Sequence, residues 1–207
     1  MTSLSDEGVA DPKIFGIGLA RTGTSSLHGA FELLGVRSAP TSVALMSLFS
    51  ADGQHDDRHP HLDTATAFTD NPVPFLYGRL DAMCPGSKFI HTTRSKDEWL
   101  ESMRWLFGPG LSRLDRRTRR LGNDVHERLY GIRTFDAVKL GRVHDAHHRG
   151  VSEYFEGRSG DLLRIETSNL DWQPLCDFIE RSVPDVAFPH VNAAAPSHRR
   201  RLRFFSA

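Results

Sequence analysis

The run Gly18-Leu19-Ala20-Arg21-Thr22-Gly23-Thr24-Ser25 constrains this chain more than any other. It joins a short apolar stretch, Lys13 to Gly18, to a segment in which Leu27, Phe31 and Leu34 recur at i, i+4 and i+7. The first pattern predicts a buried strand and the second a one-faced helix, stopped by Gly35. Glycines in a strand-to-helix turn let the backbone approach an oxyanion, and N–H groups at the helix start point at it. Thr22, Thr24, Ser25 and Ser26 add hydroxyl donors, and Arg21 adds a cation. The spacing is that of a P-loop, G-x4-G-x-[ST], with Thr24 where the Walker lysine would stand. ATPases and kinases set that lysine against the β/γ-phosphates. Its loss favours nucleotide binding without metal-assisted phosphoryl transfer, as does the lack of a strong metal-holding acid closing an apolar strand. The plainer alternative is a strand–helix turn with ordinary Ser/Thr capping.

Beyond the loop, short apolar strands alternate with helical patterns. Thr41 to Phe49 predicts a short helix, 64–69 a weak strand, and Asp70-Asn71-Pro72 the opening of a helix that buries Leu76, Leu80 and Met83. Lys88 to Thr92 predicts a strand. Ser95 to Glu98 matches a capping box, ahead of a helix burying Trp99, Leu100, Met103 and Phe107. Residues 134–157 predict a long helix, Asp161 to Ile165 a strand and 171–180 a last helix. The expected fold is α/β, a three-layer P-loop NTPase-like sandwich with a central parallel sheet. Ligands bind such sheets at the carboxyl ends of the strands, which singles out loops 18–25, 69–72 and 92–95. The expected division is a flexible tail over 1–12, one domain over 13–192 and a basic tail over 193–207.

With 26 basic and 26 acidic side chains the net charge is zero, which argues against nucleic acid as partner. No run reaches the ~18 apolar residues of a membrane span. MTSLSDEGVADPK lacks the basic start and apolar core of a secretory signal. Cys84 and Cys176 cannot build a disulfide framework. A reduced, cytoplasmic protein is expected. Only four of the basic residues are Lys and 22 are Arg, an imbalance compatible with oxyanion handling or with codon usage alone.

KIFGIGLARTGTSSL resembles the 5′-phosphosulfate loop of sulfotransferases, in the branch that writes it G-x-x-R-T-G-T-x-S-L. DNPVPFLYGRLDAMCPGSKFIHTTRSKDEWLESM, HDAHHRGVSEYF with DLLRI, and LDWQPLCDFIERSVPDVAFPHVN are similar to that branch's later blocks, in order, over roughly 13–192. The resemblance implies transfer of a sulfuryl group from 3′-phosphoadenosine 5′-phosphosulfate (PAPS) to a small-molecule or carbohydrate hydroxyl or amine. The product is adenosine 3′,5′-bisphosphate (PAP). It implies Arg21, Thr22, Gly23, Thr24, Ser25 and Ser26 around the phosphosulfate, and Arg94 with Ser102 on the 3′-phosphate. Arg21 would also stabilise charge on the leaving group.

The same resemblance implies Asp70 as general base, although Asp70 or Asn71 also suits an N-cap. Asp63 is the fallback, and His28, His91, His147 and His190 are weaker candidates. His55, Asp56, Asp57, His59 and His61 are too irregularly spaced to predict a metal site. Arg113, Arg116, Arg117, Arg119 and Arg120 suit a solvated face, or an anionic donor or acceptor. The chain departs from cytosolic vertebrate-type enzymes at Arg21 (Lys there) and Ser26 (an adenine-stacking Trp there). It also lacks their R-K-G-x-x-G motif, with Arg199 to Arg203 as a weak substitute. Two other classes stay open: a small-molecule kinase or NTPase, and a non-catalytic nucleotide-binding module. Acceptor identity and oligomeric state are not legible.

Overall fold

The computed structural model describes residues 12–49 and 59–191. The basic stretch Arg199 to Arg203, the predicted tails (Pro12 aside), and His55, Asp56 and Asp57 lie outside the described residues.

Five strands form one parallel sheet: β1 (Ile14–Gly16), β2 (Ser38–Pro40), β3 (Ala67–Thr69), β4 (Lys88–Thr93) and β5 (Leu162–Glu166). Their spatial order is β2-β3-β1-β4-β5. The chain therefore winds to one side of β1 and then returns to the other. The crevice between β1 and β4 is the topological switch point, where such sheets bind ligands. All three residues of β1 and of β3 are buried, because helices cover both faces.

On one face Phe15, Phe68 and Phe89 pack with Leu80 of α2 (Tyr77–Met83) and with Val151 of α5 (Ala137–Tyr154). On the other, Ile14, Ala67 and Ile90 pack against Leu27 and Phe31 of α1 (Thr24–Leu33) and Leu175 of α6 (Trp172–Ile179). The three-layer sandwich with a parallel sheet is thus the observed architecture. A third apolar cluster lies beyond the carboxyl edge of the sheet. There Trp99 and Met103 of α3 (Lys96–Trp105) and Leu129 and Tyr130 of α4 (Arg116–Tyr130) enclose Leu19 from the loop after β1.

Several local expectations need correction. Strand β2 was not predicted: Ser-Ala-Pro has little strand propensity, and its pairing with β3 makes it a strand. The segment after it is a 3-10 helix, Val43–Phe49. The chain after β3 does not enter a helix at Pro72; it makes a 3-10 turn, Val73–Phe75, before α2 begins at Tyr77. Leu100 and Phe107 are only partly buried. Ser95 is the N-cap of α3, but its side chain makes no capping bond. The Arg-rich segment left open by its sequence is largely helical, as α4, capped by Asp115 through the Arg117 and Thr118 amides. Cys84 and Cys176 are buried and form no disulfide.

Candidate active site

The loop after β1 is built from the inside outward. A Cβ on Gly18 would stand 1.9 Å from Thr92 Oγ1 and 2.6 Å from Thr22 Oγ1. Only glycine lets those two hydroxyls bond each other, at 2.8 Å, under the loop. The Thr22 hydroxyl donates to Leu19 O at 2.7 Å, and the Thr22 N–H bonds the same carbonyl. Thr22 therefore braces the loop from within instead of presenting its hydroxyl outward. Gly23, with φ of 92°, is the N-cap of α1, and no side chain caps it. Leu27 N–H is the amide that bonds back to Gly23 O. The amides of Thr24, Ser25 and Ser26 precede it, where a helix start presents N–H groups to an anion. Ser26 Oγ accepts from Val191 N–H at 3.0 Å, so this hydroxyl holds the segment after α6 against α1. Thr167, which sequence reasoning missed, places its hydroxyl 2.7 Å from Thr22 O and 2.8 Å from Thr93 O, joining the ends of β4 and β5 to the loop.

Among the described residues, four other than glycine have positive φ: Arg21 (74°), Thr41 (52°), Asp70 (65°) and Glu180 (56°). The first three meet at the carboxyl edge of the sheet. Thr41 N–H bonds Thr69 O, and its side chain bonds the Asp70 carboxylate. Left-handed backbone at such residues costs of order 1–3 kcal/mol and persists only when surroundings hold it. At Arg21 the holding groups are visible. The Trp99 indole N–H donates to Ala20 O at 2.8 Å, and the Ala20 N–H faces the Tyr130 hydroxyl.

So fixed, the Arg21 side chain crosses to α3. Its Nε donates to Ser102 Oγ at 3.0 Å, and its Cζ lies 5.0 Å from the centre of the Trp105 ring. Arg94 begins the turn between β4 and α3, half-buried, and is close enough to Arg21 for their charges to repel. Burial first, and Arg94 second, lower the Arg21 pKa from its ordinary value, while Asp70 opposes them. The structure therefore gathers Arg21, Asp70, Arg94 and Ser102 at the carboxyl edge of the sheet, with Asp70 beyond β3 and Arg94 beyond β4 on either side of β1. Arg113 also reaches this group, stacking 5.5 Å from the centre of the same Trp105 ring. Arg116, Arg117, Arg119 and Arg120 stand exposed on α4. Trp105, 40% exposed, was not anticipated.

Asp70 directly follows β3. Its Oδ1 accepts the Asn71 N–H at 2.8 Å, and its carbonyl accepts from Val73 N–H. Desolvation raises its pKa above the usual carboxylate range, against the opposing pull of the Asn71 amide, Arg21 and Thr41. A carboxylate so shifted is a stronger base than a solvated one. Asp63, itself exposed, ends a 3-10 turn, Pro60–Asp63. His28 is half-buried on α1, and His190 is exposed beside Phe188. His147 Nε2 donates to Ile17 O at 2.8 Å, and His144 Nε2 to Arg94 O at 3.2 Å, so two histidines of α5 brace the strand ends under the site. His91 is fully buried in β4, and neither ring nitrogen has a hydrogen-bond partner. His59 caps a 3-10 turn through the His61 amide, and His61 packs on Phe68. No group of three or more His, Cys, Asp or Glu among the described residues is arranged to hold a metal.

A glycine-containing strand–helix loop, Arg94 and Ser102 beyond it, and a desolvated carboxylate thus converge at the carboxyl edge of the sheet. Residues 13–196 match the family model described as a sulfotransferase domain, and the chain belongs to that family, whose activity is transfer of sulfate. A curated relative is Ava biosynthesis cluster protein M from Aspergillus versicolor, 26% identical over 215 aligned positions, covering 86% of this chain and 80% of the relative. Among the described residues no helix is long and apolar enough to cross a membrane.

Proposed function

We propose that this sulfotransferase takes its sulfuryl group from PAPS and delivers it to a hydroxyl or amine of a small molecule. The observation that carries the reading is the Arg21 Nε–Ser102 Oγ bond. It joins Arg21 of the loop after β1 to Ser102 of α3, which supports reading the loop as a 5′-phosphosulfate site and Arg94 with Ser102 as a neighbouring 3′-phosphate site on one nucleotide. Thr24 and Ser25, with the amides at the start of α1, take the sulfuryl end of the donor. Arg94 and Ser102 take the 3′-phosphate through charge-assisted hydrogen bonds. Thr22 and Gly23 shape the loop, and Ser26 anchors it to Val191.

In the transfer, the bond between sulfur and the 5′-phosphate oxygen breaks as a bond from the acceptor oxygen or nitrogen to sulfur forms. The acceptor's proton passes to the Asp70 carboxylate. The bond's electron pair leaves with PAP, where Arg21 meets the growing charge. The relative's name places it in a biosynthesis cluster, which supports specialised metabolites as the first acceptors to try. Incubation with sulfur-labelled PAPS, a chelator and a panel of phenols, alcohols and amines tests the proposal. Label should appear on an acceptor. Transfer from γ-labelled ATP, with none from PAPS, would refute it.

A further inference from the structure

Tyr130 is absent from the anion sites, yet it touches both halves of the proposed machinery. It closes α4, is 3% exposed and belongs to the apolar cluster that encloses Leu19. Phe75 meets its ring edge-on at 5.3 Å. Its hydroxyl donates to Asn71 Oδ1 at 3.2 Å, and the Ala20 N–H faces the same oxygen. Ala20 precedes Arg21 and Asn71 follows Asp70. One buried hydroxyl thus lies between the Ala20 peptide, next to Arg21, and the Asn71 side chain, next to Asp70. Both aimed residues have left-handed backbone, and Asp70 is close enough to act on Tyr130 through its charge. Burial, then that charge, raise the phenol pKa far above its ordinary value, so the hydroxyl keeps its proton and stays a donor.

We propose that Tyr130 is a positioning residue that sets the register between Arg21 and Asp70, through Ala20 on one side and Asn71 on the other. In-line transfer needs the base behind the acceptor atom and the cation beyond the leaving oxygen at the same moment. Misplacement of about 1 Å can cost on the order of 10²-fold in such a step. The hydroxyl spans the loops after β1 and β3. This inference rests on the transfer reading given above.

The test is Tyr130→Phe, which removes one oxygen and keeps the ring. Release of PAP from PAPS is followed with the best acceptor of the panel, beside calorimetric titration with PAP. The expected result is a fall in kcat of ~10–100-fold, with PAP affinity and fold retained. Asp70→Asn supplies the second arm. If Tyr130 acts by setting that carboxylate against Arg21, its loss costs little more once the base is gone. The double variant should then be no slower than Asp70→Asn within about threefold. A structural defect adds fully in that background, and additive losses would overturn the proposal. So would an unchanged kcat in Tyr130→Phe. If that variant does not fold, Asn71→Ala, which leaves Tyr130 beside Ala20 and cuts only the Asp70 branch, faces the same two criteria. A wild-type protein that turns over no PAPS refutes the transfer reading itself, a result separate from either criterion.

Discussion

The surroundings of Asp70 disfavour its charge. Desolvation raises its pKa in the folded protein, so the folded state binds that proton more tightly than the unfolded chain does. The stability this group contributes is present below the ordinary carboxylate range and is lost as pH rises through its folded pKa. Asp70→Asn keeps an acceptor for the Asn71 amide and removes the buried charge. The variant should be at least as stable as wild type at neutral pH, with the difference shrinking in acid, as measured by urea unfolding at both pH values. Its transfer rate to an aliphatic alcohol should fall ~10²–10⁴-fold, the usual worth of a general base. A destabilised variant of normal rate would make Asp70 structural.

Arg21→Ala should lower kcat more than it raises the donor KM, because its charge is needed as the leaving oxygen gains charge. A pure KM effect in steady-state kinetics would make it a binding residue only. Gly18→Ala should destabilise by ~1–3 kcal/mol as Thr92 and Thr22 are forced apart.

At the scale of elements, the sequence foretold what periodic patterns and glycine-rich turns carry. Strands β1, β4 and β5 and helices α1, α3, α5 and α6 were all legible, because a buried strand or a one-sided helix leaves its period in the chain. Strand β2 was not, since its three residues owe their conformation to partners on β3. The loop's place between a strand and a helix was readable from Gly18 to Ser25, but the inward use of Thr22 and Ser26 was not. A threonine in a glycine-rich turn looks the same whether it faces a ligand or, like Thr22, a second threonine 70 residues away. Trp99 read as apolar core and Tyr130 was not singled out; their polar atoms hint at more, because a buried indole N–H or phenol seeks a partner. The misread capping box has its own test. Since the Ser95 side chain makes no cap bond, Ser95→Ala should change stability by less than ~0.5 kcal/mol in urea unfolding. A loss of ~1 kcal/mol or more would restore the capping box.

Across the whole molecule, buried neutral histidines set the acid limit of the fold. Burial is the first cause that depresses His126, His147 and His148 to about 4, and His91 to about 2. Neighbouring His144, His147, His148 and Arg164 push His91 down further. In the unfolded chain these rings take protons near pH 6.5, and in the folded protein they do not. Stability should therefore be full above about pH 6.5 and fall as pH drops toward 4, by up to ~1.4 kcal/mol per pH unit for each such ring. Unfolding free energies at pH 7.5, 6 and 5 check the slope. His91→Leu should flatten it without loss at pH 7.5, since both nitrogens of His91 lack partners.

The central claim is that one nucleotide bridges the loop after β1 and the Arg94–Ser102 pair. Calorimetric titration of the wild-type protein and of Arg94→Ala with PAP and with AMP, without added metal, measures it directly. The two ligands differ by the 3′-phosphate alone. Wild type should bind PAP far more tightly than AMP. Arg94→Ala should weaken PAP by ~1.5–3 kcal/mol, the worth of a charged hydrogen bond, and leave AMP nearly unchanged. Equal affinities for PAP and AMP in the wild-type protein would contradict the account.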